Sequence, residues 1–175
     1  MNMAQKESNE NKEGLIDILV GLFSFRTSPE KLPYSIFTLV LLVAALLAVR
    51  VPLSVFEPAF ALGFIFNGLA IRGILTYGIL FIYKKKERFV KTFTAILCVE
   101  LTLTVVSLFF SIPIVAVILL AWFFAINIFI TAKSIDAAML EATLVTIFIM
   151  LVFSTLVYLQ IPPEYIAKLS DFVEP

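Results

Sequence analysis

Five apolar runs dominate the chain, at residues 34–49, 59–83, 92–110, 114–132 and 137–159. A transmembrane helix needs about 20 consecutive apolar residues to cross hydrocarbon some 30 Å thick. The runs therefore predict an all-α fold, a polytopic integral membrane helical bundle with five transmembrane helices. Helices satisfy their own backbone groups inside lipid. A β-barrel would need alternating segments of about ten residues, and the sequence has none. Fusing the third and fourth runs across Ser111-Ile112-Pro113 would leave one helix of roughly 40 residues, too long for a single crossing.

Composition agrees with this reading. Of 175 residues, 61% are hydrophobic and 15% are charged, where about a quarter charged is usual for a soluble domain. No stretch of mixed polarity is long enough for a large soluble enzyme domain. The 18 phenylalanines and a mean hydropathy of +1.05 exclude a disordered chain. The 13 Lys+Arg balance 13 Asp+Glu, so no global basic field points to nucleic acid.

The segments outside the spans are short. Residues 1–13 are expected to be a mobile polar tail with no visible signal peptide. Residues 14–33 hold a dozen-residue apolar stretch, Gly14 to Phe25, and then the breaker Ser28-Pro29-Glu30-Lys31-Leu32-Pro33. That stretch is too short to span, and reads as an N-terminal interfacial helix on the membrane. A lid packed on the bundle is the alternative. The five-span domain covers 34–160. Residues 161–175 are expected to form a short amphipathic tail on the outer side, with Tyr165, Leu169 and Phe172 on one stripe.

Orientation follows from the Lys and Arg count. Lys6, Lys12, Arg26, Lys31, Lys84, Lys85, Lys86, Arg88, Lys91 and Lys133 fall on the N-terminal side, against Arg50 and Lys168 on the other. The expectation is an N-terminus in the cytoplasm and a C-terminus outside. The basic turn Lys84, Lys85, Lys86, Arg88 and Lys91 sets this topology, and also suits anionic lipid or an acidic partner.

Catalytic and cofactor signatures are absent. There is no histidine, and Cys98 is the single cysteine. That excludes a His-containing triad, a Cys/His zinc cluster and an internal disulfide. No phosphate-binding glycine loop occurs. Gly63, Gly68, Gly73 and Gly78 recur every five residues, about 140° per step on a helix, and share no face. Ala44 with Ala48, Ala59 with Gly63, and Ala138 with Ala142 are small-residue pairs that permit close helix approach. Trp122, inside a span, reads as core packing. The expectation is a protein with no metal, no cofactor and no catalytic residues.

Two charges lie near the middle of spans: Arg72 in the second and Glu100 in the third. Each costs about 2.5–3.5 kcal/mol at bilayer depth on insertion scales, so each needs a partner. They are equidistant from the turn near Lys86, which puts them at one depth on antiparallel neighbours. The expectation is a buried Arg72–Glu100 ion pair with polar support from Asn67 and Thr104. Asn127 is expected about one turn from the surface, near Lys133, Asp136 and Glu141; helix capping and solvated-loop roles are the first reading of this group, and a shared polar vestibule is the alternative. A register-fixing staple and a proton or solute relay are both consistent with the pair.

Three short motifs carry a resemblance: Leu32-Pro33-Tyr34-Ser35 at the start of the first span, Arg88-Phe89-Val90-Lys91-Thr92-Phe93-Thr94-Ala95 after the basic turn, and Ala121-Trp122-Phe123 before the hairpin from Ser134 to Ala142. With these the chain, over about residues 25–160, resembles uncharacterised proteobacterial inner-membrane proteins that are similar to the Yip1 family. The resemblance implies five spans, a cytoplasmic N-terminal part and a bacterial inner-membrane location. It supplies no catalytic or ligand residue. The acidic-aromatic motif of eukaryotic Yip1 proteins is missing.

Two function classes stand. One is a non-enzymatic accessory, scaffold or assembly factor whose partners are the lipid bilayer and a membrane protein, or further copies of itself. The other is a small transporter or channel subunit with a polar path around Arg72 and Glu100. A five-span chain of this size encloses little volume, so transport would require an oligomer.

Overall fold

The computed structural model describes residues 15–54, 56–109, 112–163 and 165. The polar tail at 1–13 lies outside them, as does most of the C-terminal tail, including Leu169 and Phe172. Among the described residues the fold is all-α, with six helices. They are α1 Leu15–Phe23, α2 Ile36–Leu53, α3 Pro58–Ile82, α4 Phe89–Phe109, α5 Pro113–Ile135 and α6 Met139–Tyr158. The last five are long and apolar enough to cross a membrane.

Local sequence sets the helix limits. Ser35 caps α2 by accepting from the Thr38 amide at 3.1 Å. Pro58 and Pro113 open α3 and α5, where a missing amide costs nothing. At their other ends α1, α3 and α5 each stop at a left-handed residue: Phe25, Lys84 and Asp136, at φ 61°, 57° and 55°. The amides of Arg26, Lys85 and Ala137 then reach back to Gly21, Leu80 and Ala132, closing the last turn of each helix.

The ends of α3 and α5 meet at one end of the bundle, here termed the basic end. Lys85 Nζ lies 2.6 Å from Asp136 Oδ2, and Arg88 Nη1 lies 2.9 Å from Asp136 Oδ1. Arg88 also pairs with Glu30, and Lys91 Nζ donates to the Glu30 carbonyl at 2.7 Å. The Pro29–Lys31 turn, the α3–α4 connection and the α5–α6 connection are thus tied together. The Arg88 and Lys85 hydrogen bonds hold the Asp136 carboxyl down to about 2.

Helix α4 is the central element. It packs against α2, α3 and α5, and α6 closes the bundle against α3 and α5. Leu46, Leu69, Phe93 and Leu97 form one core cluster at the α2–α3–α4 junction. Ile128, Ala132 and Ala142 form a smaller one between α5 and α6. Ala142 is fully buried there, whereas Gly63 has open space around it.

Helix α1 docks on protein. Ile18 and Leu22, with Leu32 of the following turn, share a cluster with Ala95, Val99, Ile126 and Ile130. Leu22 is completely buried. Phe23 lies 5.8 Å from Trp122, which is near the middle of α5, and Phe25 meets Phe129 edge-on at 5.6 Å. These contacts are those of a lid packed on the α4–α5 face. Burying Leu22 fully is worth about 1.5–3 kcal/mol, which favours protein over an aqueous surface.

Candidate functional site: a charged layer between two cavities

Arg72 projects from α3 and Glu100 from α4, each about 15 Å of helix rise from the basic end. The two are ion-paired, with the Glu100 side chain 3% and the Arg72 side chain 12% exposed. Arg72 Nη2 donates to Asn127 Oδ1 on α5 at 3.0 Å. The Asn127 amide nitrogen in turn donates to the Phe123 carbonyl at 2.7 Å. The Arg72 guanidinium also sits 5.7 Å from the Phe123 ring centre and 5.9 Å from that of Phe153. Cation–π contact at that range adds electrostatic support in a site with little water.

A second arginine reaches the same carboxylate. Arg50 Nη1 lies 3.2 Å from Glu100 Oε2, and Arg50 Nε donates to Thr104 Oγ1 at 3.2 Å. The Thr104 hydroxyl donates to the Glu100 backbone carbonyl at 2.8 Å. The sequence puts Arg50 just past the first span, on the side opposite the N-terminus. Helix α2 instead continues through Arg50 and Pro52 to Leu53, which carries the side chain into the bundle. The signal was the length of the first apolar run. At 34–49 it falls short of a full crossing, and the four further helical residues lengthen it.

Asn67 does not join this group. It precedes Arg72 by five residues, about 140° around the helix, and lies exposed on the other side of α3. Asn127, expected about one turn from the surface, is buried at the level of Arg72. The helix α5 runs on past 132 to Ile135, which puts Asn127 about two turns from its end. Of the basic turn, Lys85, Arg88 and Lys91 make the contacts described above, while Lys84 and Lys86 are exposed. Glu141 accepts from the Tyr83 hydroxyl at 2.6 Å, at the rim of the bundle.

Two cavities flank the charged layer. Towards the basic end lies one of about 30 Å³, counted as space open to the centre of a water, with Arg72 and Asn127 at its inner end. Hydroxyls line its wall: Thr92 donates to Ser134 at 2.9 Å, and Thr146 to Thr131 at 3.2 Å. Towards the far end lies a larger hollow of about 320 Å³, bounded by Arg50, Phe64, Gly68, Glu100 and Phe153. Arg72 belongs to both walls. Among the described residues no group of His, Cys, Asp or Glu is arranged to hold a metal ion. Compared with known proteins, the chain finds no match: no family model fits it, and no curated protein and no solved structure is recognisably similar.

Proposed function

We propose that the chain is a non-enzymatic accessory, scaffold or assembly factor that works through helix–helix and lipid contacts in its membrane. The observation that carries this is Asn67. Its carboxamide is exposed near the middle of α3, on an outward stripe with Gly63, Ala70 and Ile74. A polar group facing hydrocarbon is costly until it is hydrogen-bonded. Small residues on either side let another helix approach closely enough to supply that bond. The partner is a helix of another membrane protein or of a second copy.

The setting we propose is a bacterial inner membrane, with the basic end in the cytoplasm. The five long helices suit the Yip1-like resemblance, and the clustering of Lys and Arg supports the orientation.

The test is crosslinking in the native membrane from Gly63→Cys and Ala70→Cys, each in a Cys98→Ser background. A discrete crosslinked species lost on Asn67→Leu is the expected result. No crosslink from either position, with the protein at its normal level, overturns the reading.

A second reading, as a small transporter or channel subunit, is favoured by one observation: Arg72 is a wall shared by two cavities. Ion flux in proteoliposomes that disappears in Glu100→Gln would establish it over the first.

A further inference from the structure

The charges of the layer do not balance. Arg50 and Arg72 bring two guanidinium groups to the single carboxylate of Glu100. The other carboxylates near this half of the bundle, Asp136 and Glu141, sit at the basic end and are engaged with Lys85, Arg88 and Tyr83. The layer therefore carries one more guanidinium than carboxylate, with Arg50 partly exposed and Arg72 buried.

The smaller cavity lies where a compensating anion belongs. Arg72 forms its inner end, the Asn127 amide and the hydroxyls of Thr76, Thr131 and Ser134 line part of its wall, and isoleucine, leucine and methionine side chains line the rest. Thr76 and Ser134 are 5% and 1% exposed, so these donors face little competing water. No carboxylate lines the cavity. Hydroxyl and guanidinium N–H groups stabilise an anion and offer a cation little.

Size narrows the class. A water needs about 10–15 Å³ measured this way, so 30 Å³ holds one monatomic anion or two waters, and is too small for sulfate or phosphate. The outer end of the cavity lies beside Ser134, whose carbonyl accepts from Arg88 at 3.3 Å.

We propose that this cavity is a binding site for a single halide-sized monovalent anion, held by Arg72 and the surrounding hydroxyls. The anion completes the charge balance of the Arg50–Glu100–Arg72 layer. The proposal concerns binding, and holds whether or not the chain conducts.

The test uses the full chain in detergent, with chloride, bromide, sulfate and gluconate compared at one ionic strength. Thermal unfolding midpoints should rise saturably with chloride or bromide relative to gluconate, as ligand binding to the folded state requires. Sulfate should give no such rise. The ³⁵Cl resonance should broaden with protein and sharpen again as bromide competes. Thr76→Val with Ser134→Ala should weaken the chloride effect at least tenfold. Equal midpoints in chloride and gluconate with no ³⁵Cl broadening would overturn the proposal using the unmodified chain alone. A full chloride effect retained in the folded double variant would overturn the assignment to this cavity, as would an equal response to sulfate.

Discussion

Arg50 and Arg72, from successive antiparallel helices, converge on opposite oxygens of the Glu100 carboxylate. A carboxylate shared by two guanidinium groups locks α2, α3 and α4 in one register. The three positions differ in their surroundings: Arg50 is 32% exposed, whereas Glu100 is 3% exposed. Removing the carboxylate is therefore a different perturbation from removing either arginine.

Glu100→Gln should be the most damaging single change in the layer. It strands two cations in the bundle at once, and breaking a buried pair typically costs on the order of 3–5 kcal/mol. Arg50→Gln should cost only about 1 kcal/mol, because its partly exposed guanidinium is screened. Unfolding in mixed micelles should rank the variants in that order. Equal losses would mean that Arg50 is as essential to the layer as Glu100.

Charge reversal tests the register itself. Arg72→Glu and Glu100→Arg should each lower the amount of protein in the membrane, and the double exchange should restore part of it. Restoration will be incomplete, because Arg50 would then face an arginine at position 100. Singles that accumulate at the normal level would show that the pair does not hold the fold.

The Thr92–Ser134 hydroxyl pair crosses between α4 and α5 in a buried setting. Ser134→Ala leaves the Thr92 hydroxyl unpaired, at a cost of about 1–3 kcal/mol. Adding Thr92→Val should recover much of that loss, since two apolar groups of similar shape leave no polar atom stranded. A double variant as unstable as the sum of the singles would rule out the coupling.

Trp122 is the single tryptophan and touches Phe23, so its emission reports docking of α1. Leu22→Ala should cost about 2–5 kcal/mol in local packing and shift that emission. Because Leu22 lies in the cluster with Val99 and Ile126, the shift should precede global unfolding in a detergent titration. An unchanged spectrum would place α1 away from α5 in solution.

At the basic end, Asp136 has its carboxyl lowered to about 2 by Arg88 and Lys85. A carboxyl depressed in the folded state stabilises above its unfolded value near 4, and that contribution is lost as pH falls toward 2. Crosslinking between Glu30→Cys and Lys133→Cys should therefore be constant from neutral pH down to about 4 and weaken only below it. Asp136→Asn should show the weakened state at neutral pH. Loss of the wild-type crosslink already near pH 6 would implicate another group.

Some of this was legible in the chain alone. Five apolar runs bounded by prolines and basic turns determine five helices, because lipid leaves the backbone few other ways to satisfy its hydrogen bonds. Intramembrane Arg72 and Glu100 likewise demand partners, and their equal distance from the Lys86 turn puts them at one depth. What the sequence could not decide was rotation about each helix axis and the length of the final turns. Asn67 and Asn127 look equivalent as isolated polar residues, yet packing turns one outward and the other onto Arg72. Arg50 reads as a loop charge until α2 is seen to run on to Leu53. Gly14 to Phe25 is apolar enough for lipid or for protein, and the packing of Leu22 and Phe23 on the α4–α5 face is visible only in the tertiary structure. Depth follows from counting residues along one helix, whereas side-chain direction and partner choice depend on how several helices pack at once.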